Sequence, residues 1–266
     1  MKILGMLGGT SWPSTIDYYR YLNQLAQRHL GAEHSARLLL RSIDYAAIRS
    51  HYPNGWDAIA KLLKAELDAL AAAKPDYLMV CNNTLHQALD IFLPEIKLPV
   101  IHIIDAAARR ARFLKCKSLL LLATKPTMEG GYYTQKLEAA GFTVTIPDAA
   151  EREKVQAIQS QMAKGVMHPE FRTGFKEILD RYQKLDGVVL GCTELPLAIG
   201  PEETPLARIN TLEAQCDEAF AFAVAGEKLS ESLPSSFRYG QESGGPKGPE
   251  PTRYNDWEIG GKAVDF

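Results

Sequence analysis

Gly187-Val188-Val189-Leu190-Gly191-Cys192-Thr193-Glu194 is an apolar run that breaks into a small polar loop. Ser118-Leu119-Leu120-Leu121-Leu122-Ala123-Thr124 is a similar run earlier in the chain, and Leu119 and Cys192 are 73 residues apart. The first half repeats the arrangement. Ile3-Leu4-Gly5-Met6-Leu7-Gly8 precedes Tyr77-Leu78-Met79-Val80-Cys81-Asn82-Asn83-Thr84, with 77 residues from Leu4 to Cys81. Runs without polar alternation, bounded by Gly or Pro, are the mark of strands buried on both faces of a parallel sheet. Further strands are expected at Ala36–Ser42, Val100–Ile104, Thr143–Ile146 and Ala207–Ile209.

Amphipathic stretches fill the gaps. Ile16–Leu30 has Ser14-x-x-Asp17 before it and Gly31 after it, the capping asymmetry of a helix. Trp56–Ala73 stops before Pro75, which disfavours helix in the residue ahead of it. Other helices are expected at His86–Phe92, Asp105–Leu114, Tyr132–Ala140, Glu151–Lys164, Glu170–Lys184 and Leu212–Glu227. Strands alternating with helices give an α/β fold. Two similar halves, each ending a strand in a Cys-containing loop, predict a pseudo-twofold pair of parallel-sheet domains. Ligands in such sheets bind beyond the C-terminal strand ends, so facing halves bring both loops to one cleft.

Composition narrows the function. The 266 residues carry 30 Lys and Arg against 32 Asp and Glu. That balance excludes a protein whose affinity rests on neutralising phosphates or anionic lipid. The apolar runs are too short to span a bilayer. Only Ile3–Leu7 separates Lys2 from Gly8-Gly9, less than a signal peptide needs, so a cytoplasmic chain is expected. Cys81, Cys116, Cys192 and Cys216 form no C-x-x-C pair, which argues against a disulfide framework or a metal site.

The chemistry-bearing residues sit in the loops. Gly8-Gly9-Thr10-Ser11, between a strand and a helix, reads either as an anion-binding turn or as a tight turn alone. Cys81-Asn82-Asn83-Thr84 and Cys192-Thr193-Glu194 place a thiol at a strand end among amides and hydroxyls that can hold a carboxylate. Either cysteine alone reads as a small buried hydrophobe; their matched placement favours chemistry. His86 is a cleft acid or a helix-start histidine bonded to backbone. Lys154 reads by itself as part of a solvated helix face. Cys116 and Cys216 carry no role.

Leu4-Gly5-Met6-Leu7-Gly8-Gly9-Thr10-Ser11-Trp12-Pro13-Ser14-Thr15 resembles the opening of the aspartate/glutamate racemase family. Asn83-Thr84-Leu85-His86 and Leu190-Gly191-Cys192-Thr193-Glu194-Leu195 resemble its two catalytic loops, and Thr124–Met128 and Glu151–Lys154 fall beside similar segments. The resemblance covers roughly residues 1–228. It implies a first α/β domain of residues 1–104 and 211–229 and a second of 105–210. It also implies a homodimer and racemisation of a small amino acid without pyridoxal phosphate or another cofactor. On it, Cys192 is one proton-transfer base, Lys154 a carboxylate partner, and Ser11, Asn83, Thr84, Thr124 and Thr193 line the pocket. The first catalytic position falls on Asn82, where relatives have Cys or Thr. Cys81 sits one residue earlier, and a slip of one residue at a strand end turns a side chain to the other face.

Residues 230–266 change character. Ser230-Glu231-Ser232-Leu233-Pro234-Ser235-Ser236 reads as a linker to an extended tail, and six Gly and three Pro fall within Phe237–Phe266. The run Gly244–Glu258 with Val264-Asp265-Phe266 resembles the C-terminal motif of the succinate dehydrogenase assembly factor 4 family. That implies binding to the flavoprotein subunit of succinate dehydrogenase, with a structural arm as the bland alternative. Three functions therefore stand: a racemase or epimerase, a one-base isomerase built on Cys192, and a weakened scaffold serving its tail.

Overall fold

A computed structural model describes residues 1–225 and two short strands near the C-terminus. The first sheet contains β1 (Leu4–Gly8), β2 (Leu38–Ser42) and β3 (Tyr77–Val80), all parallel in the order β2-β1-β3. The second contains β4 (Ser118–Leu122), β5 (Thr143–Thr145), β6 (Gly187–Leu190) and β7 (Ala207–Asn210), parallel in the order β5-β4-β6-β7. β1, β3 and β6 are buried along their whole length, which is why they lack polar alternation.

Eleven α-helices are found among the described residues. In the first half they are α1 (Trp12–Leu30), α2 (Tyr45–Arg49), α3 (Trp56–Ala71), α4 (His86–Phe92) and α5 (Ile103–Phe113). They continue as α6 (Lys125–Glu129), α7 (Tyr132–Ala139), α8 (Ala149–Met162), α9 (Pro169–Asp180), α10 (Leu195–Ala198) and α11 (Thr211–Ala223). The short helices α2, α6 and α10 leave too little periodicity in the sequence to be read there.

Two expectations are corrected. The helix expected from Ile16 begins at Trp12, with Ser11 in the N-cap position. Pro13 opens it without loss, because first-turn N–H groups have no intrahelical acceptor. Ser14 is therefore no cap; it is buried and turned toward the second half. Val100–Ile104 is not a strand either. Val100 makes a single parallel bridge to Leu78, and α5 starts at Ile103 with the His102 ring accepting from the Ile104 N–H.

Each sheet has its own core. Leu119–Ala123, Val188–Leu190, Val155, Phe175 and Leu195 fill the second. Leu4, Met6, Tyr18, Leu22, Tyr77 and Met79 lie in the first, together with Leu212, Cys216, Ala219 and Phe220 from α11. The last helix thus packs against α1 and α5 after the chain has built the second sheet. Gln215, fully buried on α11, accepts from the Tyr18 hydroxyl and donates to the carbonyls of Val80 and Ile101.

The proposed linker, the run Gly244–Trp257 and Val264–Phe266 lie outside the described residues. Glu258–Ile259 (β8) and Lys262–Ala263 (β9) pair antiparallel.

Candidate active site

The loops after β1, β3, β4 and β6 meet where the two halves abut. Gly9 has φ +92°, and a Cβ there would fall 2.3 Å from the Ile43 carbonyl oxygen, so the tight turn after β1 requires glycine. Its N–H donates to Thr15 Oγ1 at 3.0 Å. That donor is used inside the turn, which supports the tight-turn reading of Gly8-Gly9. Ser14 Oγ donates to Ser11 Oγ at 2.9 Å and lies 2.7 Å from Thr193 Oγ1 in the second half.

The loop after β3 is pinned from several sides. Asn82 Oδ1 accepts from the Leu85 N–H at 2.8 Å, and its Nδ2 donates to Thr10 Oγ1 at 3.2 Å. Asn83 is buried; it donates to Thr211 Oγ1 and accepts from the Tyr133 hydroxyl, each at 3.1 Å. Thr211 in turn donates to the Leu190 carbonyl at the end of β6. A hydroxyl chain crosses the junction from Thr84 to Thr127 (3.1 Å) and on to Thr124 (3.0 Å). A small cavity lies beside it, lined by Thr84, Gln87, Thr127, Tyr132 and Tyr133 among others.

Cys192 stands at the end of β6, half-buried. Its thiol donates to Glu194 Oε2 at 2.7 Å, and its sulfur accepts from Gln159 Nε2 at 3.4 Å. Burial above all, then the Glu194 carboxylate, pushes the thiol well above its usual value. The sulfur is protonated at neutral pH, with a buried carboxylate placed to receive its proton. Glu194, Gln159, Thr127 and Tyr133 were given no role in the sequence, and Ser14 only that of a helix cap. Gln159 alone had a signal, as a polar residue one turn from Val155 on the apolar side of α8.

The junction gathers Ser11, Asn82, Asn83, Thr84, Thr124, Cys192 and Thr193. Three candidates stand apart from it. Cys81 is in the first core beside Tyr18 and Cys216, and burial pushes its thiol well above the usual range. His86 is fully buried with Nδ1 2.6 Å from the Asn82 carbonyl and Nε2 accepting from the Ile103 N–H. Both ring nitrogens are engaged, and burial, reinforced by His102, lowers its pKa, so it is a neutral brace and not a cleft acid. Lys154 points outward, because Val155, Ile158 and Met162 take the core side of α8. Its amine meets Glu177 of α9 at 2.6 Å. Among the described residues no cluster of His, Cys, Asp and Glu could hold a metal, and no helix is long and apolar enough to cross a membrane.

Comparison with known proteins agrees with this geometry. The model of the Asp/Glu/hydantoin racemase family matches residues 7–219. The chain belongs to that family. Among solved structures it resembles a candidate Asp/Glu racemase from Yersinia pestis at 33% identity, with a TM-score of 0.79, covering 84% of this chain and 99% of that one. An aspartate racemase homologue from Pyrococcus horikoshii OT3 follows at 29% identity and TM-score 0.76, with the same coverage. A glutamate racemase from Lysinibacillus sphaericus is 27% identical over 180 residues, 63% of each chain. The match thus spans less than two thirds of that curated racemase. Residues 235–266 match a second model, described as a protein family of unknown function (DUF1674). Membership of the racemase family accounts for the two parallel sheets and for the loops that meet between them.

Proposed function

We propose that this protein is a cofactor-independent amino-acid racemase that moves a proton at the α-carbon of a small amino acid. The observation that carries the reading is the Cys192 Sγ–Glu194 Oε2 contact of 2.7 Å at the junction of the two sheets. In this mechanism Glu194 takes the thiol proton, and the thiolate removes the α-proton of the substrate. Hydroxyls of Ser11, Thr84, Thr124 and Thr193 and loop amides hold the substrate carboxylate and the developing negative charge. The family resemblance puts the first catalytic position at Asn82, in the loop after β3.

A second reading, one-sided proton exchange, is favoured by the bonds of Asn82. Its amide is committed to Thr10 and Leu85 and carries no proton transferable at neutral pH. Water would then reprotonate that face, slowly, because losing one positioned acid/base costs about 10²–10⁴-fold. α-Deuterium exchange with paired L- and D-amino acids separates the readings. Exchange of both enantiomers supports racemisation, exchange of one supports a single base, and exchange of neither removes both.

The reading extends to a cytoplasmic homodimer whose tail engages the succinate dehydrogenase flavoprotein subunit. The likeness of Gly244–Glu258 to the assembly factor motif supports the tail's part, as do Arg253, Tyr254 and Trp257, residue types enriched in binding hot spots. A pull-down with that subunit, using the full chain and a chain ending at Ser236, tests it. Equal capture by both, or capture by neither, would remove the partner.

A further inference from the structure

Gln159 is a buried polar side chain on the apolar face of α8. Its neighbours on that face, Val155, Ile158 and Met162, belong to the second core. A polar group in such a place is kept only where it is bonded. Its Nε2 reaches Cys192 Sγ at 3.4 Å. Its Oε1 accepts from Gln156 Nε2 at 3.3 Å, and Gln156 Oε1 accepts from the Lys125 N–H at 2.7 Å, at the start of α6. Gln156 Nε2 also donates to Ser160 Oγ at 2.9 Å. This chain fixes which way both amides face. A backbone donor occupies the Gln156 oxygen, the Gln156 amino group occupies the Gln159 oxygen, and the N–H of Gln159 is left for the sulfur.

We propose that Gln159 is a positioning residue that holds the Cys192 sulfur and stabilises it as a thiolate, with Gln156 locking its amide. The thiol proton faces Glu194 while the Gln159 N–H meets the sulfur from another direction. Proton transfer to Glu194 leaves the negative charge where a donor already points, and no group has to reorganise. The titratable group that bears on the sulfur is Glu194 on its own loop, and its carboxylate opposes the thiolate. Gln159 acts in the other direction, and it does so without carrying a charge that would bind a substrate carboxylate in the wrong place. The role in turnover rests on the reading of Cys192 as a base; the effect on the thiol itself does not.

The test is the pH dependence of Cys192 carboxamidomethylation by iodoacetamide, followed on its peptide by mass spectrometry in the full-length folded protein. Gln159→Leu is expected to move the midpoint upward by about one pH unit, so that alkylation on the low-pH side slows about tenfold. Gln159→Glu is expected to move it further, by placing a second carboxylate beside the sulfur. Gln156→Leu, which leaves Gln159 in place, is expected to move it in the same direction by a smaller amount, and serves if a Gln159 variant fails to fold. Folding of each variant is checked by its thermal transition. Profiles superimposable on wild type for the folded variants would overturn the proposal. A shifted profile in a protein without α-proton exchange would keep the Gln159–Cys192 coupling and remove only the racemase reading.

Discussion

Ser14 Oγ and Thr193 Oγ1 lie 2.7 Å apart, although 179 residues separate them in the chain. Ser14 belongs to the first turn of α1 and Thr193 follows Cys192, so this bond joins the helix of one half to the thiol loop of the other. It fixes the Cys192 loop against a rigid helix end. The Asn83–Thr211 and Thr84–Thr127 contacts do the same for the opposite loop.

The clasp predicts a measurable coupling. Ser14→Ala, Thr193→Ala and the double variant form a cycle in urea denaturation. A coupling energy of about 1 kcal/mol is expected for one partly buried hydroxyl pair. Strict additivity of the two single changes would show that the bond contributes nothing net.

Cys192→Ala is expected to lower α-proton exchange at least about 10²-fold while leaving the thermal transition nearly unchanged. Glu194→Gln keeps the shape of the side chain and removes its capacity to take the thiol proton. It is expected to lower exchange as well. Turnover near that of wild type in Cys192→Ala would end the thiol mechanism.

The pH profile has a defined shape. Because burial, and then Glu194, raises the Cys192 pKa, the thiolate is the minor form at neutral pH. Where the thiol proton leaves to water, its fraction grows about tenfold for each unit of pH below that pKa. When Glu194 takes that proton within the pair, the reactive thiolate forms without net proton release, so exchange is expected to stay level from about pH 6.5 to about pH 8.5. A rise with slope near one in this range would show that the proton leaves to water and that Glu194 is not its acceptor.

Asn82→Cys is expected to raise reciprocal racemisation, by restoring a thiol at the first catalytic position. Cys81→Ala is expected to leave exchange within about twofold and to cost about 1 kcal/mol of stability, the usual size of a modest core truncation. A large loss of exchange with unchanged stability in Cys81→Ala would place the wrong residue at the cleft.

Much of the fold was legible because burial leaves a direct trace in the sequence. β1, β3, β4 and β6 are short and apolar on both faces, and α3 and α4 carry helical spacing to within two residues of their observed ends. Val100–Ile104 misled because β-branched residues serve equally in a buried helix start, and only the His102 ring bond to the Ile104 N–H distinguishes the two. The position of Cys192, Asn82 and Thr84 at the junction was legible, because each follows a buried strand. Lys154 was misread because motif proximity carries no information about which way a helix is turned; Val155 and Ile158 set that rotation. The contacts of Gln159 and Ser14 were not legible for a related reason. Their partners come from distant segments, and neither local pattern nor spacing encodes the meeting.

Gln215 has a consequence for the order in which the protein can be made. The core around Tyr18, Met79 and Leu4 is completed by Leu212, Cys216 and Phe220, which a ribosome delivers only after every residue of the second sheet. The second core, from Ile103 to Ile209, is contiguous and can close earlier. The half synthesised first is thus the half that matures last, and until Ala219 emerges its Tyr77 hydroxyl and the Val80 carbonyl have no α11 partner. During that interval the nascent first sheet exposes an apolar face of the kind that chaperones hold.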